Sequence, residues 1–175
     1  MSIARHLEDI ERFLQVMEDY LAEQAQAATG QEQTELEKAF PNLLRSSVFV
    51  TIYSAIEAEL TRLCRRQQQS RSLKLNLDEL RGNGIVRAHN YLSRVCEIKV
   101  PKGKYWRELL DYNALRNVIV HPDGEENHRT LLGLIRENPY LEKDSLDIYL
   151  AAPFCREVIA SARDFFAQLE EAIKE

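Results

Sequence analysis

Two stripes of apolar residues constrain the fold of this chain more than any other feature. In both, apolar side chains recur every three or four positions, so each stripe lies along one face of a helix with 3.6 residues per turn. The first stripe comprises Ile3, Leu7, Ile10, Leu14, Met17 and Leu21, and the second comprises Leu44, Val48, Ile52, Ile56, Leu60 and Leu63. With Ser2 as N-cap and Gly30 as the stop, the first helix is predicted to run to about Ala28.

Helices account for most of the remaining chain as well. The second stripe predicts a helix from Asn42 to about Gln68, which follows a polar stretch, Gln31 to Lys38. Further helices are predicted over 85–95, 105–121, 129–137 and 153–173, and a short extended segment over 147–150. Glycine (6) and proline (5) are sparse. We therefore expect one all-α domain, residues 1–175, built as an antiparallel bundle of four to five helices.

The cysteines and the absence of long apolar runs indicate the class of protein. Cys64, Cys96 and Cys155 are odd in number and widely separated, which is typical of buried free thiols in a reducing compartment. The first residues contain no signal peptide, and no apolar run approaches the roughly 18 residues of a membrane span. We expect a cytoplasmic protein that contacts no membrane.

The net charge of −5 is unevenly distributed along the chain. Residues 1–40 have a balance of −6, residues 41–116 of +7, and residues 117–175 of −6. Chance segregation of surface charge explains this pattern as well as a positive face that attracts phosphate does. Within the basic part, regions 62–74 and 94–107 are rich in cations. The candidate substrate-binding residues are Arg87, Lys102, Lys104 and Glu57, a carboxylate predicted to be partly buried, for which an ordinary salt bridge is the simpler interpretation.

One short segment, Leu115 to Gly124, carries the side chains most capable of catalysis. Arg116, Asn117 and His121 occupy the end of a predicted helix that Pro122 brings to a stop. The proton of a histidine moves near neutral pH, and an arginine fork matches the oxygens of a phosphate. These groups suffice to cleave RNA without a metal, leaving a 2′,3′-cyclic phosphate and a 5′-OH. We expect neither a metal nor another cofactor.

The helical spacing complicates this assignment. Arg116 and His121 are separated by about 140° of rotation on a regular helix, so they do not share a face. Either His121 leaves helical geometry because it precedes Pro122, or two copies of the helix meet across a two-fold axis. We favour the second route, which predicts a homodimer.

The segment resembles the R-x4-6-H signature of the HEPN superfamily. The Arg and His of that family match Arg116 and His121, and its polar residue matches Asn117. The surrounding chain is similar to bacterial HEPN proteins over roughly residues 40–170, at Tyr53 and Glu57, Gly84 to Ala88, Tyr91, Leu92 and Trp106. The resemblance implies a four-helix core, dimerisation through the motif helix, and a metal-independent endoribonuclease of a toxin–antitoxin or antiphage system, with an antitoxin or defence protein as partner.

Other interpretations stay open beside the ribonuclease. HEPN toxins paired with nucleotidyltransferases commonly carry a Tyr two residues after the His, where this chain has Asp123, so silencing by nucleotide transfer is not expected. A non-catalytic HEPN module that binds RNA, nucleotide or a partner protein is the alternative function. Arg116 alone would most often pair with Asp111, Asp123 or Glu125. A metal site at His121 and His128 lacks a recognisable ligand spacing.

Overall fold

The computed structural model describes residues 2–121, 132–144 and 147–174, and most of them are helical. Helix α1 spans Ile3–Ala27 and begins where the sequence predicts. The Ser2 hydroxyl caps it by accepting a hydrogen bond from the backbone N–H of Arg5 at 3.4 Å. The buried side of α1 carries four members of the first stripe: Ile3, Leu7, Ile10 and Leu14. The apolar period therefore sets both the helix and the face that it buries.

The polar stretch after α1 is helical, although its composition predicted no apolar face. Helix α2, Gly30–Thr34, starts at a glycine with φ of +65° and continues into a π-helical turn, Glu35–Ala39. Two side-chain hydrogen bonds across one turn support it, Gln31 to Glu35 at 2.8 Å and Gln33 to Glu37 at 3.0 Å. Such pairs stabilise a helix without burying apolar surface.

Helix α3, Phe40–Ser70, contacts most of the other helices, and Pro41 lies in its first turn. A 3-10 turn, Leu77–Glu79, leads to helix α4, Gly84–Arg94. The Cys64 thiol lies 3.5 Å from the Ala88 carbonyl, and the Glu57 carboxylate adjoins Gly84. The later residue of α3 contacts the later residue of α4, so the two helices run in the same direction.

Helices α5, Lys104–Val120, and α6, Phe154–Lys174, complete the core. Trp106 and Phe165 have ring centroids 5.9 Å apart, and the Tyr112 hydroxyl lies 3.4 Å from that of Ser161, so α5 and α6 are antiparallel. Between them the edges of the Phe49, Tyr112 and Phe154 rings meet at centroid distances of 5.3–6.3 Å. These aromatic contacts join α3, α5 and α6.

A β-hairpin precedes α6. Strands β1, Leu141–Asp144, and β2, Asp147–Leu150, pair antiparallel, with Leu141 opposite Leu150. The predicted extended segment is confirmed as β2, whereas β1 was not predicted. Asn42 of α3 holds the hairpin, because its amide donates to the Ile148 carbonyl and accepts from the Leu150 N–H, both at 2.9 Å. Residues 132–137 are helical, as part of the predicted helix 129–137.

Glu18 connects three helices through a shared ion pair. Its two carboxylate oxygens lie 2.7 Å from Arg45 Nε of α3 and 2.9 Å from Arg156 Nη2 of α6. The side chain is 13% exposed. A second pair, Glu11 with Arg163 at 2.9 Å, joins α1 to α6 nearer the surface.

The three cysteines are free and buried, as predicted. Burial raises the pKa of both Cys64 and Cys155 to about 12, so these thiols stay protonated and unreactive at neutral pH. Within the described ranges, no helix combines the length and the apolar character needed to cross a membrane.

Candidate functional site

The predicted motif lies at the carboxyl end of α5. Arg116 and Asn117 are half-buried in its last turn, and His121 is exposed at the C-cap. The backbone of His121 has φ of −132° and ψ of 71°, outside the helical region, although its N–H still donates to the Asn117 carbonyl at 2.9 Å. A following proline disfavours helical geometry, and Pro122 therefore accounts for the departure. Residues 122–131, which include Asp123, Glu125 and His128, lie outside the described residues.

Among the described residues, Arg116 has fewer partners than a half-buried guanidinium normally requires. Its Nη1 donates to the Asn117 side-chain oxygen at 3.1 Å, while its Nε is buried and has no hydrogen-bond partner among the described residues. None of the ion pairs between described residues includes Arg116. Asp111 is the one described residue among the carboxylates predicted to pair with Arg116. Burial, followed by the negative charge of Glu137, raises the pKa of Asp111. The guanidinium thus keeps hydrogen-bonding capacity for a further acceptor.

Tyr53 of α3 approaches α5 one turn before the motif. Its hydroxyl donates to the Asn113 side-chain oxygen at 2.5 Å, and the residue is 1% exposed. Burial, followed by the negative charge of Glu57, raises the pKa of Tyr53, and the positive charge of Arg116 opposes the rise. Tyr53 therefore stays protonated at neutral pH and lies within electrostatic range of both charges. Sequence reasoning missed this link, although Asn113 and Asn117 are spaced to share one helical face.

Glu57 is half-buried, as predicted, and lies against the start of α4. Its Oε1 is 3.2 Å from the position that a Cβ on Gly84 would occupy, and Gly84 has φ of +53°. Both the close approach and the left-handed backbone favour glycine there. Glu57 also lines an open groove of about 440 Å³ along α3 with Ser54, Ala58, Thr61, Arg62 and Arg65. One end of the basic region 62–74 is therefore next to Glu57.

The predicted substrate-binding lysines lie apart from Arg116 within one chain. Lys104 begins α5, 3.6 Å from Glu108, and Lys102 is exposed in the loop before it. Lys104 and Arg116 are twelve residues apart, about 18 Å along the helix axis. Arg87, in the first turn of α4, is 3.5 Å from Asp78. The basic region 94–107 thus contains the opposite end of the motif helix, and does not flank the motif in a single chain.

His89, like Arg87, Glu108 and Arg116, has a buried polar atom without a hydrogen-bond partner among the described residues. Its ring stacks on Trp106 at a centroid distance of 4.2 Å, and its Nε2 has no hydrogen-bond partner among the described residues. Burial, together with Lys102 and Arg94, lowers the pKa of His89. His89 is therefore neutral at physiological pH.

The described side chains do not favour a metal at this site. No group of three or more His, Cys, Asp or Glu residues within the described ranges has an arrangement that could hold an ion. The arrangement on α5 is instead one guanidinium, one amide and one imidazole.

Comparison with protein-family models, with curated proteins and with solved structures finds no match for this chain. The resemblance to the HEPN superfamily therefore stays a prediction based on the residues of the motif.

Proposed function

We propose that this chain is a metal-independent endoribonuclease of the HEPN type, acting as a homodimer on RNA. The observation that carries the proposal is the state of Arg116. This guanidinium is held by Asn117, keeps a buried Nε without a described acceptor, and lies close in sequence to a histidine outside helical geometry. A phosphate supplies the oxygen acceptors that such a group lacks.

The chemistry needs only these side chains and water. A neutral His121 accepts the proton of a ribose 2′-OH, and that oxygen forms a bond to the adjacent phosphorus. Arg116 stabilises the added negative charge on the non-bridging oxygens as the bond to the 5′-oxygen breaks. Water donates a proton to that leaving oxygen, and the protonated His121 returns its proton to the hydroxide that forms. The products are a 2′,3′-cyclic phosphate and a 5′-OH.

The dimer supplies what one helix lacks. On a regular helix Arg116 and His121 would be about 140° apart, but His121 follows the last residue of α5 and lies outside helical geometry. Two copies of α5 related by a two-fold axis bring two Arg116 and two His121 side chains into one cleft. Val120, next to His121, is 40% exposed, which provides apolar surface for such a contact.

The test is cleavage of structured and single-stranded RNA in EDTA, with analysis of the product ends. We expect cyclic-phosphate ends that are lost in His121→Ala and in Arg116→Ala, whereas Lys174→Ala, an exposed lysine in the last turn of α6, serves as the control. RNA binding without cleavage would favour the non-catalytic HEPN module.

A mixing experiment tests the shared cleft. Heterodimers of Arg116→Ala with His121→Ala chains retain one Arg and one His, contributed by different chains. We expect partial recovery of cleavage in the mixture. No recovery, with dimers present by analytical ultracentrifugation, would contradict a composite site.

A further inference from the structure

The face of α5 that carries the motif is oriented by polar as well as apolar contacts. Leu109, Tyr112 and Leu115 are buried on the side of α5 that packs in the core, and Asn113 and Arg116 are half-buried. Apolar packing sets which side of a helix faces the core. A satisfied buried hydrogen bond between helices adds specificity to the exact rotation.

The hydrogen bond from Tyr53 to Asn113 has the position required for this role. It spans α3 and α5 at 2.5 Å, and the phenol that donates it is buried. Asn113, Arg116 and Asn117 are related as i, i+3 and i+4, so they lie on neighbouring positions of one helical face. Fixing Asn113 therefore fixes the direction of the face that carries Arg116 and Asn117.

Among the described residues, Arg116 has little support of its own. Its Nη1 donates to Asn117, the next residue on the same helix, and this hydrogen bond cannot resist rotation of the helix as a whole. We infer that Tyr53 is a positioning residue, whose hydroxyl holds α5 in the rotation that directs Arg116 toward the scissile phosphate. The inference rests on the proposed function, and it assigns Tyr53 no contact with RNA.

Tyr53→Phe removes the hydroxyl and keeps the ring. Tyr91→Phe is the matched control, because Tyr91 is equally buried and its hydroxyl donates to the Leu75 carbonyl at 2.6 Å, a backbone group outside α5. We expect Tyr53→Phe to lower kcat about tenfold with KM changed less than about twofold, since misplacement of a catalytic group acts on the transition state. Tyr91→Phe should leave kcat unchanged at a similar loss of stability.

A second measurement reads the position of Arg116 without catalysis. The NMR signal of its Nε–Hε group, assigned by its loss in Arg116→Lys, should shift or broaden in Tyr53→Phe and stay unchanged in Tyr91→Phe. Asn113→Ala should have the same effect as Tyr53→Phe, and the double variant should add little to either.

The outcomes separate the two proposals. An equal fall of kcat in the Tyr53 and Tyr91 variants, or an unchanged Arg116 signal in Tyr53→Phe, overturns the positioning role. If the wild-type chain cleaves no RNA, the proposed function fails, and the Arg116 signal alone then decides the role of Tyr53.

Discussion

Glu18 and Arg116 are both charged side chains set among helices, and their hydrogen-bonding groups are satisfied to very different degrees. Glu18 has an arginine at each carboxylate oxygen, from two different helices. Arg116 has one amide neighbour on its own helix and a buried Nε without a described partner. An unpaired buried polar atom costs roughly 1–3 kcal/mol. Within the described part of the chain, the contacts of Glu18 therefore stabilise the fold more than those of Arg116 do. Sites that break local rules in this way are often functional.

The largest expected effect separates activity from stability at Arg116. Arg116→Ala should lower RNA cleavage by about 10²- to 10⁴-fold, because it removes the charge that stabilises the transition state. The free energy of unfolding should change by less than about 0.5 kcal/mol, since the side chain makes one hydrogen bond to its neighbour and its buried Nε has no described partner to lose. Urea unfolding beside a cleavage assay measures both. A large loss of stability would instead give Arg116 a structural role.

Glu18→Ala should show the opposite behaviour. Removing this carboxylate leaves Arg45 and Arg156 without their shared partner, and we expect a loss of about 3 kcal/mol in unfolding free energy. Glu11→Ala is the matched control, because the Glu11–Arg163 pair joins the same helices, α1 and α6, with both side chains at least 33% exposed. That variant should lose no more than about 1 kcal/mol. Equal losses would remove the distinction between the two pairs.

Asn42 is a neutral side chain whose hydrogen-bonding groups are satisfied, as those of Glu18 are. Both polar atoms of its amide are used by the β-hairpin. Asn42→Ala should cost about 2 kcal/mol and speed amide hydrogen exchange at Leu150, because two backbone groups lose their partners. Asn42→Asp keeps the acceptor and should slow the exchange at Leu150 relative to Asn42→Ala.

The smallest expected effect concerns His89, the neutral counterpart of Arg116. The pKa of His89 is lowered in the folded chain from the usual 6.5. As the pH falls below about 6.5, His89 therefore becomes protonated in the unfolded chain before it does in the folded chain. The stability that neutral His89 contributes is therefore present above pH 6.5 and is lost as the pH falls below it. His89→Phe keeps the stacking on Trp106 and should flatten this part of the pH dependence. The fluorescence of Trp106, the only tryptophan, reports unfolding in both proteins.

Helix positions were predictable because burial leaves a period in the sequence. The apolar stripes located α1, α3 and α6 to within a few residues, and Pro122 correctly indicated that His121 leaves the helix. The polar helix α2 and strand β1 were missed. Hydrogen bonds between side chains hold α2, and pairing with a neighbouring strand holds β1, so neither leaves an apolar period.

The candidate site was predictable within one helix and not between helices. Spacing along a regular helix predicts that Arg116 and His121 diverge, and the row of Phe49 and Tyr53 indicated that Glu57 is partly buried. Spacing did not indicate that Tyr53 meets Asn113, or that Glu57 lies against Gly84. Such facts depend on which faces of different helices meet, and helical periodicity does not encode that pairing.

Gly84 has a consequence for how substitutions in this chain will be interpreted. It has no side chain and takes no part in the proposed chemistry, yet an added methyl group would meet the Glu57 carboxylate at 3.2 Å on a left-handed backbone. Any replacement must displace either the start of α4 or the carboxylate that acts on Tyr53. In a survey of all single substitutions, position 84 should therefore tolerate few replacements, as an active-site position does, because a side chain there would enter the space beside Glu57.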